Sequence, residues 1–225
     1  MRKRRAARAH DAVDEGSAVN VTSVAIIDYG AGNVTSVAKA LRYLGAAPRV
    51  AIDPGSIAGA DGIVVPGVGH FARTTAIDTA TRRVLRHAID AGTPLLGICL
   101  GLHWLFEGST EAPDAAGLGV FQGRCSALRG SPEIKVPHVG WNSIDVTANG
   151  SRLLDGLGTK PYAYFCHSYA VECGDRTAGM TNHGDAFSAV VERDAVFGVQ
   201  FHPEKSGAVG LAVLGNFLRV CNEAR

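Results

Sequence analysis

The sequence predicts one α/β domain, a doubly wound and mostly parallel central sheet flanked by helices, with added antiparallel strands in the second half. The first half alternates short apolar segments with helical patterns, as in parallel sheets whose strands are joined by helices. The second half contains mainly strand-like segments. The length of 225 residues is enough to bury one large core without a second domain.

The elements of the first half follow from apolar periodicity. In order, they are a strand at 24–29, a helix from 34, a strand from 49, a strand from 62, a helix at about 74–91 and a strand at 95–98. Asn33 precedes the first helix and is a good candidate for its N-cap. Because chemistry collects at the carboxyl ends of parallel strands, we expect the site in the loops at that edge.

The second half is rich in β-strand patterns. These are GRCSAL, HVGWNSIDV, YAYFCHSYAVEC and FSAVVERDAVFGVQF, and residues 210–221 are predicted to form a closing helix. No repeat or low-complexity linker interrupts residues 23–225, so we expect a single domain there.

The charge distribution separates an N-terminal leader from the rest. Residues 1–22 contain five basic and three acidic side chains, whereas the remainder has 17 basic and 18 acidic ones. The folded part is therefore not expected to bind nucleic acid. The leader lacks the apolar core of a secretory signal, and we expect a disordered extension or a start codon placed too early.

Cysteine usage and hydropathy indicate a cytoplasmic protein. No apolar run approaches the roughly 18 residues of a membrane span. The five cysteines are scattered and form no C-x-x-C pair, which argues against a disulfide framework or a zinc site and favours a reducing compartment.

The segment PLLGICLGLHWLF places Cys99 between a predicted strand and a predicted helix. The pattern G-x-C-x-G at such a junction is the cysteine form of a nucleophile elbow, a tight turn that lifts the side chain off the sheet. The alternative is a small apolar side chain in a buried core, since free cysteine is among the most often buried residues.

The segment VFGVQFHPEKS offers a base for such a thiol. His202 follows an apolar strand pattern, Pro203 stops the strand, and Glu204 is near enough to orient the His202 ring. The alternative is that His-Pro-Glu simply ends a strand. Together with the elbow cysteine, the pattern favours a Cys-His-Glu triad.

These motifs resemble those of a known family. GICLG around Cys99 and QFHPEKS around His202 resemble class I glutamine amidotransferases. The segments IDYGAGNVTSV, PGVGHF, KVPHVGWN and YFCHSY resemble the glutaminase subunits of imidazole glycerol phosphate synthase, an enzyme of histidine biosynthesis. The resemblance spans residues 24–220 and implies the class I glutamine amidotransferase fold.

The resemblance implies hydrolysis of glutamine to glutamate and ammonia without a metal or organic cofactor. Cys99 would be the nucleophile, His202 the proton carrier and Glu204 the group that orients His202. The residues implied in oxyanion and substrate binding are Gly67, Val68, Gly69, Leu100, His103 and Glu111. At position 103 the family usually has glutamine, and imidazole cannot copy the paired geometry of an amide.

The resemblance also implies a partner, a cyclase subunit of (β/α)₈ fold bound as a heterodimer. It would receive ammonia through an internal channel and form imidazole glycerol phosphate and aminoimidazole carboxamide ribonucleotide. The residues that match interface positions are Asn33, Trp141, Tyr164 and Lys205. Alternatives are a class I glutaminase of another pathway, a stand-alone cysteine hydrolase and a non-catalytic assembly subunit.

Overall fold

The computed structural model describes residues 21–147 and 151–224. Residues 1–20 of the expected leader lie outside the described residues. Thr22, by contrast, is buried, and its hydroxyl donates a hydrogen bond of 2.7 Å to the Asn222 side chain. Thr22 therefore packs with the domain, although its position in the sequence assigns it to the leader.

The elements alternate in the first half and are mainly strands in the second. The first half contains β1 (Ser23–Ile27), α1 (Val34–Tyr43), β2 (Ala47–Ala51), β3 (Gly62–Gly67), α2 (Thr79–Asp90), β4 (Leu95–Cys99) and α3 (Leu100–Leu105). The second contains β5 (Gly108–Ser109), β6 (Ala112–Ala116), β7 (Arg124–Ala127), β8 (His138–Ser143), β9 (Asp145–Val146), β10 (Tyr162–His167), β11 (Tyr169–Ala170), β12 (Thr177–His183), β13 (Asp185–Arg193), β14 (Val196–Val199) and α4 (Gly207–Glu223).

Within the described residues, the central sheet has eight strands in the order β2-β1-β3-β4-β14-β13-β12-β9. The strands from β2 to β14 pair in parallel, and those from β14 to β9 pair antiparallel. Strands β8 and β10 form a separate antiparallel pair, and β11-β7-β5-β6 form a small sheet. The predicted parallel sheet with added antiparallel strands is confirmed.

Apolar side chains cover both faces of this sheet. Successive residues of a strand point to opposite faces, so Val24 belongs to one core and Ala25 to the other. Helices α1 and α4 contribute to the first core, and α2 and α3 to the second. The sheet is thus buried between two helical layers, which leaves the carboxyl ends of its strands as the open edge.

The structure agrees with two local expectations only in part. The helix expected at about 74–91 is a 3₁₀ helix, Phe71–Ala76, followed by α2, because the Asp78 side chain accepts a hydrogen bond of 2.7 Å from the Thr81 N–H and starts a new helix there. Asn33 does precede α1, but its side chain makes no capping hydrogen bond. Its amide reaches Glu204 instead.

Two further features of the described residues concern membrane-spanning helices and disulfides. No helix among the described residues is long and apolar enough to cross a membrane. All five cysteines lie in the described part of the chain, and none of them forms a disulfide.

Glycine at position 210 permits a close contact between α4 and the 3₁₀ helix Pro203–Lys205. A Cβ on Gly210 would lie 1.9 Å from the Pro203 carbonyl oxygen, whereas one on Gly215 of the same helix would have no neighbour within 4 Å. We expect Gly210→Ala to lower the free energy of unfolding by about 1–3 kcal/mol. Gly215→Ala should leave it unchanged or raise it by up to about 1 kcal/mol. Urea denaturation of both variants checks this, and equal effects would contradict it.

Candidate active site

Cys99 lies in a strained turn between β4 and α3. Its φ is 53°, in the left-handed region that residues with a side chain rarely adopt. A Cβ on Gly101 would lie 1.8 Å from the Val65 carbonyl oxygen, and one on Gly97 would lie 2.7 Å from the Gly101 carbonyl oxygen. Only glycine fits on either side of Cys99, because α3 packs directly on the backbone of β3 and β4. The G-x-C-x-G pattern thus has a steric cause.

His202 reaches the same sheet edge from β14. That strand pairs with β4 in parallel, with Val199 beside Ile98, so the residues that follow both strands emerge together. The His202 Nδ1–H donates a hydrogen bond of 3.0 Å to Glu204 Oε1. Both side chains are almost fully buried, at 2 % and 1 % exposure. Cys99 lies close enough to the His202 ring to interact with it electrostatically.

The electrostatics of these groups favour a charged histidine. Burial alone would lower the pKa of His202, but hydrogen bonds and charge interactions with Cys99 and Glu204 raise it above its ordinary value. Burial likewise opposes ionisation of Glu204, and the hydrogen bond and charge of His202 lower its pKa. The ring and carboxylate therefore stabilise each other's charged forms.

Further hydrogen bonds fix both residues. The His202 N–H donates to the Tyr164 carbonyl at 2.9 Å, and the His202 carbonyl accepts from the Ser206 hydroxyl at 2.7 Å. The same hydroxyl accepts from the Tyr164 N–H at 2.9 Å. The Asn33 side-chain amide donates to Glu204 Oε1 at 3.3 Å. Ser206 was missed from the sequence, since a serine before a helix ordinarily indicates an N-cap.

The loop Gly67–Val68–Gly69 begins at the last residue of β3 and lies beside Cys99, because Gly67 is the strand partner of Cys99. The Val68 N–H donates a hydrogen bond of 2.6 Å to the Ala31 carbonyl, so it points at that carbonyl. Gly69 has a φ of 93°, which favours glycine. Leu100 is the first residue of α3, where backbone N–H groups have no partner within the helix.

Tyr29 is a second residue that sequence reasoning missed. A Cβ on Gly67 would lie 2.1 Å from its hydroxyl, which is buried and has no hydrogen-bond partner among the described residues. Burial and the nearby Cys99 raise the pKa of Tyr29. Tyr29 is part of the motif IDYGAGNVTSV, but the motif does not show that its hydroxyl lies beside Gly67, because that depends on how β1 and β3 pack.

The two expected pocket residues have different surroundings. Glu111 accepts a hydrogen bond of 2.7 Å from the Phe71 N–H, just after the glycine loop. His103 is 4 % exposed and hydrogen-bonds Gln200, whose amide approaches the Cys99 sulfur. Gln200 was not singled out from the sequence.

Three of the four expected interface residues form a surface cluster. The Trp141 and Tyr164 rings meet edge to face with centroids 6.2 Å apart, and the Lys205 ammonium lies 5.9 Å from the Tyr164 ring centroid. Trp141 is 57 % exposed. The side-chain amide of Asn33 donates to Glu204, the residue before Lys205.

Comparison with known proteins gives the class. The family model for class I glutamine amidotransferases matches residues 25–221. The chain therefore belongs to the class I glutamine amidotransferase family. The geometry of Cys99, His202 and Glu204 described above agrees with the triad that the resemblance implies.

Curated relatives place the chain within that family. It is 47% identical to imidazole glycerol phosphate synthase subunit HisH of Salinibacter ruber over 203 residues, covering 85% of this chain and 92% of the relative. It is 44% identical to HisH of Deinococcus radiodurans, over 87% of this chain and 93% of that relative. These similarities place it among the HisH subunits of imidazole glycerol phosphate synthase.

Solved structures agree on the fold. PurLQS from Thermotoga maritima superposes with a TM-score of 0.69 at 19% identity, covering 88% of this chain and 98% of that one. The glutaminase domain of CTPS from Trypanosoma brucei gives 0.63 at 15% identity, covering 88% of this chain and 94% of that domain. At this identity the likeness concerns the fold alone.

The raised pKa of His202 predicts how stability depends on pH. Folding stabilises the protonated ring, so this contribution is full below about pH 6.5 and is lost as the pH rises through the folded pKa. Glu204→Gln removes the opposing charge and should remove the part of this dependence that comes from Glu204, while the part that comes from Cys99 remains. Above about pH 6.5, we expect the free energy of unfolding of the wild type to fall relative to the variant, by up to about 1.4 kcal/mol per pH unit.

Urea denaturation at pH 6, 7.5 and 9 measures this difference. Glu133→Gln, the same chemical change at an exposed loop position, is the matched control and should run parallel to the wild type. Parallel profiles for Glu204→Gln would refute the electrostatic coupling of His202 and Glu204.

Proposed function

We propose that the chain hydrolyses the side-chain amide of glutamine and supplies the ammonia to the cyclase subunit of imidazole glycerol phosphate synthase. The observation that supports this most is the arrangement of Cys99 in a strained turn beside the buried His202–Glu204 pair. A thiol, an imidazole and a carboxylate in that order are suited to acyl transfer through a covalent intermediate.

The proposed reaction has two stages. The Cys99 thiolate attacks the carboxamide carbon, His202 gives its proton to the amide nitrogen, and ammonia leaves a γ-glutamyl thioester. Neutral His202 then takes a proton from water, whose oxygen attacks the thioester carbon. Glutamate leaves, and the Cys99 thiolate and the charged His202 with which the cycle began are restored. Glu204 keeps the ring oriented and stabilises its charged form throughout.

Backbone N–H groups would stabilise the oxyanion formed in each stage. We assign one donor to Leu100 and a second to the Gly67–Val68–Gly69 loop. In the structure the Val68 N–H is bonded to the Ala31 carbonyl and is therefore withheld from the site. This supports a resting state of low activity, since loss of one oxyanion donor lowers the rate about 10²- to 10³-fold.

The substrate pocket is assigned to the space beside this loop. Glu111 lies there through its bond to the Phe71 N–H, and a carboxylate is suited to the cationic α-amino group of glutamine. The resemblance places His103 in the same pocket, but its ring nitrogen contacts Gln200, so we assign it no contact with the substrate.

The partner surface is assigned to the exposed face of β8 and β10. Val139 and Trp141 are two residues apart on β8 and therefore lie on the same face, and Tyr162 lies on the neighbouring strand β10. Each of the three side chains is more than half exposed. Contiguous exposed apolar side chains are typical of interfaces. We infer a (β/α)₈ cyclase bound there as a heterodimer, an internal path for ammonia and, from the free cysteines, a cytoplasmic location.

The nucleophile is tested by Cys99→Ala. We expect the variant, mixed with its cyclase, to lose glutamine hydrolysis completely and to retain synthesis of imidazole glycerol phosphate from added ammonium salts. Glutamate release and product formation are measured separately. Cys173→Ala, at an exposed cysteine, is the matched control and should keep both activities. Persistent glutamate release in Cys99→Ala would disprove the assignment and leave the stand-alone hydrolase and assembly alternatives to be tested.

The loop is tested by the activity of the isolated chain and by Gly69→Ala. We expect the isolated chain to hydrolyse glutamine at roughly a hundredth to a thousandth of the rate in the complex. A Cβ at a φ of 93° hinders reorientation of the loop, so the variant should show little activation by the cyclase and its nucleotide ligand.

Gly92→Ala is the control for strain alone, because Gly92 also has a positive φ, 83°, and no neighbour within 4 Å of an added Cβ. It should be activated normally. Full activity of the isolated chain, or normal activation of Gly69→Ala, would rule out a loop that withholds the donor.

A further inference from the structure

Two buried polar side chains beside Cys99 have no role in the mechanism above. His103 of α3 is 4 % exposed, and Gln200, which follows β14, is fully buried. His103 Nε2 lies 2.8 Å from Gln200 Oε1, and Gln200 Nε2 lies 3.8 Å from the Cys99 sulfur. The three side chains form a continuous row from the helix to the sulfur.

The hydrogen bonds along this row have a defined order of donors and acceptors. Burial lowers the pKa of His103 to about 4, only partly opposed by its bond to Gln200, so the ring is neutral at pH 7 and has a single N–H. When that N–H is on Nε2, it donates to Gln200 Oε1. The other end of the amide, which is a donor, then faces the sulfur. The hydrogen bond to His103 thus determines which end of the Gln200 amide Cys99 meets.

The sulfur has neighbours that favour opposite protonation states. The Cys166 carbonyl oxygen, 4.0 Å away, accepts from a neutral thiol. The Gln200 NH₂ group donates to a thiolate. The titratable groups that face Cys99 are His202, Tyr29 and Cys125. Of these, His202 in its charged form also favours the thiolate.

We propose that His103 is a positioning residue, which orients the Gln200 amide so that its NH₂ group stabilises the thiolate of Cys99. The inference rests on the proposed role of Cys99 as the nucleophile. It assigns position 103, where this chain departs from the family pattern, to activation of the nucleophile and not to direct contact with glutamine.

The test follows the rate of iodoacetamide alkylation of Cys99 against pH, resolved by peptide mass spectrometry. Gln200→Met keeps the length of the side chain and removes the donor, and we expect the pH midpoint for Cys99 to rise by about one unit. His103→Phe should produce a similar rise, and His103→Gln, which can still donate to Gln200, a smaller one. In the complex with cyclase, kcat for glutamine should fall about tenfold in Gln200→Met, with a smaller change in KM.

The double variant His103→Phe/Gln200→Met tests whether His103 acts on Cys99 only through Gln200, which we call a relay, or whether the two residues act on Cys99 independently. In a relay its midpoint equals that of Gln200→Met alone, whereas a shift equal to the sum of the single shifts would overturn the proposal. An unchanged midpoint in Gln200→Met would also overturn it. If His103→Phe fails to fold, His103→Gln replaces it in the double variant, and the same comparison of midpoints applies.

Cys166, which is exposed, is the internal reference, and its alkylation profile should be the same in every variant. The outcome is independent of the proposed function, since alkylation needs no substrate. Lack of glutamine hydrolysis by the wild-type complex would overturn the proposed function, whereas an unchanged Cys99 midpoint with active enzyme would overturn only the relay.

Discussion

The contact between α3 and the backbone of β3 and β4 determines the geometry of the whole site. Gly101 approaches the Val65 carbonyl so closely that no Cβ fits, and Cys99 is consequently held at a positive φ. Such a conformation costs about 1–3 kcal/mol for a residue with a side chain. Burial of Leu102 and Leu105 on the same short helix offsets this, at about 1.5–3 kcal/mol for each.

The other site residues depend on the sheet in two different ways. His202 and Glu204 belong to one short segment, so their hydrogen bond is a local property of the sequence His-Pro-Glu. Their position relative to Cys99, in contrast, depends on the parallel register of β4 and β14. The Gly67–Val68–Gly69 loop, to which we assign an oxyanion donor, lies at the end of β3 on the opposite side of β4. The proposed nucleophile, the proposed base and this loop therefore come from three parallel strands and meet at one edge.

The features that local sequence determines were predictable. Apolar runs and their spacing located β3, β4 and the strand-rich second half, and the motifs around Cys99 and His202 identified the groups that the structure brings together. The partners of those groups were not predictable, because they come from distant parts of the chain. Asn33, 171 positions from Glu204, was interpreted as a helix cap. Gln200 and Tyr29 lie within the motifs QFHPEKS and IDYGAGNVTSV, but only packing places their side chains beside Cys99.

Tyr164 belongs both to the outer surface and to the support of His202. Its ring lies against Trp141 and Lys205 on the exposed face, while its carbonyl accepts from the His202 N–H and its N–H donates to the Ser206 hydroxyl. Because the ring and these backbone groups belong to one residue, we expect that fixing the ring from outside also restricts the motion of His202. A molecule bound on that surface would then restrict the proposed base without contacting it.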